Sequence, residues 1–141
     1  MRQRVAEISV PAESRYVAIA RNFVIAVARE AGWLSGEQLD DLRLVASETV
    51  TNAVRAQRSV AATDQIRVRC AATPQQFEFS VADSAGGFDV PETATLAAGD
   101  LGREGGFGLP IISELSDEAH FDIDEGGTVV RALVFRRGEG W

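Results

Sequence analysis

The sequence predicts an α+β fold of two layers, an α/β sandwich with helices on one face of a mixed β-sheet. Three observations lead there. Five stretches alternate apolar and polar residues as half-buried strands do, and three others repeat their apolar residues at helical spacing. The two kinds follow one another as β-α-α-β-β-loop-α-β-β, with neighbouring strands in runs and the helices segregated from them. A chain of 141 residues can bury one substantial core, so residues 1–141 are expected to form a single domain.

The elements can be justified in turn. In "AEISVP", Ala6, Ile8 and Val10 alternate and Pro11 ends the strand. From about Ala12 to Ala31, Tyr16, Ile19, Phe23 and Val27 recur at helical spacing, and Gly32 stops the helix. "SGEQ" then opens a second helix with a capping box, Ser35 as N-cap answered by Gln38. That helix runs through Leu39, Leu42, Ala46, Thr49 and Ala53, and an adjacent face carries Asp41, Glu48 and Asn52. "IRVRC" and "FEFSV" are alternating strands separated by Pro74. After a Gly- and Ala-rich segment, "GLPIISEL" reads as a third helix, with Pro110 in the first turn where its missing N–H costs nothing. Ala119, Phe121, Ile123 and Val130, Ala132, Val134 mark two last strands around the turn "DEGGT".

Composition narrows the function classes. The chain is 45% hydrophobic and 25% charged, as folded soluble domains are. Fourteen basic against twenty-one acidic residues leave a net charge of −7, which argues against a nucleic-acid footprint and suits a protein that meets other proteins. No apolar run approaches the ~20 residues of a membrane span, and the N-terminus lacks a signal-peptide core. Cys70 is the lone cysteine and falls on an apolar beat of a strand, which reads as a small buried hydrophobe in a reducing, cytoplasmic setting. His120 alternates outward from Phe121 and reads as a solvated strand residue. Trp33 reads as a loop packing residue, Trp141 as a frayed tail, and Arg15 and Arg21 as a solvated helix face, with partner docking as the alternative.

Chemistry is concentrated between these elements. Glu48 and Asn52 are four residues apart, so they are neighbours on one helix face. Asp83 ends a strand, where its carboxylate can point off the sheet and accept a hydrogen bond from an exocyclic amine, and the glycines after it let a flat ring approach the backbone. "GGFGL" opens a helix whose unpaired N–H groups favour a phosphate. An amide oxygen at Asn52 suits Mg²⁺, and Glu48 one turn earlier can serve as a base.

With these motifs in order, the sequence resembles the GHKL ATPase/kinase superfamily, and within it the bacterial anti-sigma-factor serine kinases of the RsbW and SpoIIAB type. "SETVTNAV" matches the family's N-box, "DSAGGF" its G1 box, and Gly106-Phe107-Gly108-Leu109 its G2 box. Gly127 and Thr128 match its late Gly-Thr, and "VPAESRYVAIARNFV" and "DDLRLVASE" match the flanks, so the likeness covers nearly the whole chain. Ala85 stands where the G1 box favours glycine, and Ala56 where relatives often carry a polar residue.

The resemblance implies a Bergerat α/β sandwich that binds ATP or ADP with Mg²⁺. It implies that Glu48 is the general base toward an acceptor serine and that Asn52 holds the metal. Asp83 would read the adenine amine, Gly87 keep the pocket floor open, and Thr128 support the site beside Asp83. Gly106, Gly108 and Leu109 would present N–H groups to the phosphates, and Arg103, the only basic residue of segment 89–105, would approach the γ-phosphate. The implied partners are a sigma factor and a STAS-domain anti-anti-sigma protein that is phosphorylated, with a homodimer as the working state. Two alternatives stay open: an ATP-binding anti-sigma module without kinase activity, and a switch kinase of the RsbT type.

Overall fold

The computed structural model describes residues 3–59, 65–84, 108–124 and 126–138. Strand β1 (Arg4–Val10) leads through a single 3-10 turn (Ser14–Tyr16) into α1 (Val17–Ala31), followed by α2 (Gly36–Ser59). Strands β2 (Ile66–Ala72) and β3 (Gln76–Asp83) come next, then α3 (Gly108–Leu115), β4 (Glu118–Asp124) and β5 (Gly127–Phe135). Among the described residues the strands and helices follow in the order read from the sequence; the loop expected between β3 and α3 lies outside them.

Local chemistry accounts for most boundaries. Gly32 closes α1 in the left-handed conformation, φ +83°, and its N–H bonds back to the Arg29 carbonyl. The capping box at α2 is complete: the Gln38 N–H donates to Ser35 Oγ at 3.0 Å, and the Ser35 N–H donates to Gln38 Oε1 at 2.9 Å. Helix α1 begins later than its apolar spacing predicts. Glu13 is extended (φ −136°, ψ 142°) with no side-chain cap, and the chain tightens into the 3-10 turn before the α-helix starts.

The five strands form one sheet in the order β1-β2-β3-β5-β4. The two-layer α+β sandwich stands as expected, with one correction: the four pairings are all antiparallel, so the sheet is not mixed. The β2–β3 and β4–β5 hairpins are antiparallel by construction, whereas β1–β2 and β3–β5 join strands that are not consecutive elements of the chain, with β5 inner and β4 at the edge.

Helix α2 packs against both α1 and α3. Between the layers lies a core of Ile66, Val68 and Cys70 from β2, Phe77, Phe79 and Val81 from β3, and Leu42, Val45 and Val50 from α2, with Ile112 from α3. The opposite sheet face is polar, as an antiparallel sheet permits; Arg67, Arg69 and His120 are exposed there. His120 lies 3.1 Å from Glu118, the solvated strand residue expected. Trp33 packs on the core and donates its indole N–H to the Thr73 carbonyl at 2.9 Å, tying the α1–α2 connection to the β2–β3 turn. Arg15 pairs with Glu13 at 3.0 Å in the open, consistent with a solvated face.

Candidate functional site

The middle of α2 is built so that a polar pair rides at the edge of a buried stripe. Leu42, Val45, Ala46, Val50, Ala53 and Val54 are buried, while Glu48 and Asn52 are half-buried beside them. Thr49, buried with them, turns its hydroxyl back onto the Val45 carbonyl at 2.7 Å and so satisfies itself within the helix. Asn52 does not. Its amide nitrogen is buried and has no hydrogen-bond partner among the described residues. An amide left uncommitted by the protein is the state a ligand-binding group requires, since a buried polar atom without a partner is costly until something meets it. The unpartnered atom is an NH₂ donor, suited to a phosphate oxygen; a divalent cation would be held by the other end of the same amide, its oxygen, with substrate phosphates and water completing the sparse protein coordination typical of Mg²⁺.

Asp83 is the last residue of β3, buried to 9% exposure, and it pairs across the ladder with Thr128 of β5. The G1 aspartate and the late threonine, far apart in sequence, thus sit opposite each other at one end of the sheet. Gly127, just before Thr128, has φ +140°, and a Cβ there would collide with the Asp83 carbonyl oxygen and crowd the Ser84 Cα. The close approach of the two strands requires glycine at this position. Asp124 pairs with Gly127, so the β4–β5 turn places Gly127 and Thr128 against the end of β3.

Gly108 and Leu109 open α3, so their N–H groups are among those an α-helix leaves without an intrahelical acceptor. Helix α3 packs against α2, the helix that carries the N-box residues. Gly87, Arg103 and Gly106, as well as Ala85, lie outside the described residues. A cavity of about 590 Å³ opens beside the second half of α2, lined by Ser14, Val17, Thr51, Val54, Arg55 and Arg58. Thr51 and Arg55 lie within two turns of Glu48 along that helix.

One polar residue of this region escaped the sequence reading. Gln57, on α2, is fully buried, and its Oε1 accepts a hydrogen bond from the Ser84 backbone N–H at 2.7 Å. The available signal was an amide on a core beat: Gln57 continues the stripe Ala46, Val50, Ala53 at helical spacing. Cys70 is fully buried, and desolvation pushes its thiol from 9.0 up to about 12, which makes it an inert core residue.

The chain is similar to known proteins along most of its length. Residues 10–134 match the histidine kinase-like ATPase domain family. The chain is 33% identical over 140 residues to a serine-protein kinase RsbW of Bacillus licheniformis, covering 93% of this chain and 86% of that one. It is 31% identical over 131 residues to the serine-protein kinase RsbW of Listeria monocytogenes, covering 87% and 82%. Among solved structures, the RsbU and RsbW domains of a Mycobacterium tuberculosis protein align with a TM-score of 0.70 at 20% identity over 96% of this chain, which spans 33% of that longer one. The SiaB–SiaC complex of Pseudomonas aeruginosa aligns with a TM-score of 0.62 at 14% identity, covering 92% and 88%. At those identities the structural likeness speaks for the fold. With a family model spanning most of the chain and relatives above 30% identity, the chain belongs to the histidine kinase-like ATPase domain family, in its branch of RsbW-type serine-protein kinases.

Proposed function

We propose that residues 1–141 act as one unit, an anti-sigma factor that also phosphorylates a serine of a STAS-domain anti-anti-sigma protein with Mg·ATP. The observation that carries this reading is the pairing of Asp83 with Thr128 at the end of the sheet, next to the helix that presents Glu48 and Asn52. An acceptor for the base amine and an uncommitted amide for the phosphate side are thus offered by adjoining elements.

In this mechanism Asp83 accepts a hydrogen bond from the adenine amine, and Thr128 supports it across the ladder. Asn52 would hold magnesium, which when bound neutralises charge on the phosphates. As the family resemblance implies, Gly106, Gly108 and Leu109 would offer N–H groups to the phosphates, Gly87 would keep the pocket floor open, and Arg103 would meet the γ-phosphate. Glu48 takes the proton of the serine hydroxyl as its oxygen bonds to the γ-phosphorus, and the β–γ bridging oxygen leaves with ADP. Little covalent help is needed, because phosphoryl transfer is catalysed mainly by positioning and charge neutralisation.

The partner protein would bring its serine along the flank of α2 that carries the Arg55 and Arg58 cavity, Arg55 lying seven residues after Glu48 on that helix. Self-association belongs to the same proposal. Ile19 on α1 and Val5 on β1 keep 53% and 50% of their surface exposed, apolar area that a second copy could cover. Light scattering at micromolar concentration should give a dimer mass. No helix of the described residues is long and apolar enough to cross a membrane; a cytoplasmic setting is part of the proposal.

The decisive experiment incubates the protein with labelled ATP, Mg²⁺ and its cognate STAS-domain partner, with GTP in a parallel arm. Phosphoserine on the partner from ATP and much less from GTP is expected, since guanine presents a carbonyl where adenine has its amine. Asp83→Asn, which replaces a charged acceptor by a neutral one, should weaken ATP binding by about 1–3 kcal/mol. Sigma-factor capture without phosphoryl transfer would show a binding module instead.

A further inference from the structure

Gln57 occupies a core position on α2 with none of its surface exposed. Its Oε1 holds the Ser84 N–H at 2.7 Å, whereas its Nε2 is buried without a hydrogen-bond partner among the described residues. A half-satisfied amide is a poor way to fill a core, because the desolvation of its NH₂ group is not offset. An unbranched apolar side chain would pack the same space without that cost. The amide therefore has to be explained by what it holds.

What it holds is the peptide group that follows Asp83. The β3–β5 ladder ends at the Asp83–Thr128 pair, so the Ser84 N–H is the first amide beyond it. Gln57 takes over where the ladder stops. The same peptide is confined at its other end, where Gly127 leaves room for the Asp83 carbonyl oxygen and for no side chain of its own. With its oxygen against β5 and its N–H on α2, the Asp83–Ser84 peptide plane is fixed from both layers of the fold.

We propose that Gln57 is a positioning residue for nucleobase recognition, setting the direction of the Asp83 carboxylate through the Ser84 amide. The proposal rests on the reading of Asp83 as the acceptor of the base amine. It also joins the base site to the helix that carries Asn52, five residues before Gln57, so the two ends of a bound nucleotide are referred to one rigid element. Positioning of this kind changes how well the base is read and leaves the transfer step alone.

The test is Gln57→Met, nearly the same length with no acceptor. Hydrogen exchange at the Ser84 amide, calorimetric affinity for ATP and for GTP, kcat at saturating ATP and the thermal midpoint are measured together. Faster Ser84 exchange is expected, with ATP affinity falling about tenfold, as for one lost hydrogen bond. The preference for ATP over GTP should narrow, while kcat is kept and the midpoint is unchanged or higher. Unchanged ATP affinity overturns the proposal, and so does an affinity loss accompanied by a lowered midpoint, the signature of a merely structural role. If Gln57→Met does not fold, Gln57→Leu, also without an acceptor and a good helix former, takes its place with the same expected and overturning results. Asp83→Asn is run alongside. If that variant leaves ATP and GTP discrimination untouched, the base-site reading falls and this inference with it. If Asp83→Asn narrows discrimination and Gln57→Met does not, only this inference falls.

Discussion

Gly127 lies against the Asp83 carbonyl so closely that the two strands could not pair as they do if residue 127 carried a Cβ. The contact is backbone to backbone, so neither side can yield by rotating a side chain. Gly127→Ala must therefore separate β5 from β3 at the site, and it must also adopt φ +140°, which L-residues avoid. A loss of about 1–3 kcal/mol is expected, the range typical of one strained backbone position. Urea unfolding reads it, and ATP affinity should fall with it, because Thr128 and Asp83 are displaced together. A variant with wild-type stability and affinity would mean that the strands part here at no cost.

Asn52 is expected to make nucleotide binding depend on the metal. In the wild type, calorimetry with and without Mg²⁺ should show tighter ATP binding with the metal, and in Asn52→Ala the two titrations should converge. Because the amide nitrogen is buried without a hydrogen-bond partner, its removal should leave folding stability unchanged or slightly raised. Wild-type ATP affinity indifferent to Mg²⁺ would withdraw the role given to Asn52.

Glu48 is assigned to the acceptor hydroxyl and not to the nucleotide. Glu48→Ala should keep ATP affinity while phosphoryl transfer falls by ~10²–10⁴. Capture of the sigma factor should survive, so an unmodified antagonist would go on displacing it in a mixture of the three proteins. Loss of ATP binding would make Glu48 metal-linked or structural; transfer at the wild-type rate would remove the general base.

Burial of Cys70 gives the fold a pH dependence on the alkaline side. Its thiol is raised from 9.0 to about 12, so below pH 9 the folded and unfolded chains both keep the proton and Cys70 contributes no slope. Between those values the unfolded chain releases a proton that the folded chain retains. Stability therefore falls as pH rises, by at most about 1.4 kcal/mol per pH unit. Urea unfolding at pH 8 and at pH 10.5 should show this component in the wild type and not in Cys70→Ala. In the native state at pH 8 the thiol should resist alkylation, and rapid modification would contradict its burial.

Much of this protein was legible in one dimension because the forces that shape it locally act within a turn or a pleat. The Ser35–Gln38 capping box, the stop at Gly32 and the span Gly108–Leu115 could be read directly, since each depends on residues within four positions of one another. The shared face of Glu48 and Asn52 follows from spacing alone, and the alternation in β2 to β5 marked the core residues for the same reason. Even there, apolar periodicity could not show that residues 14–16 tighten into a 3-10 turn, because the pattern records which side faces the core and not how the first turn is wound. Tertiary structure decided the rest. The antiparallel sense of every pairing, the seating of β5 between β3 and β4, the meeting of Asp83 with Thr128, and the grip of Gln57 on Ser84 all join residues distant along the chain. Such contacts are chosen by competition for burial among whole elements, after the local patterns have formed them. An amide at a core beat of a helix looks like a packing error until the strand end that it holds has arrived beside it.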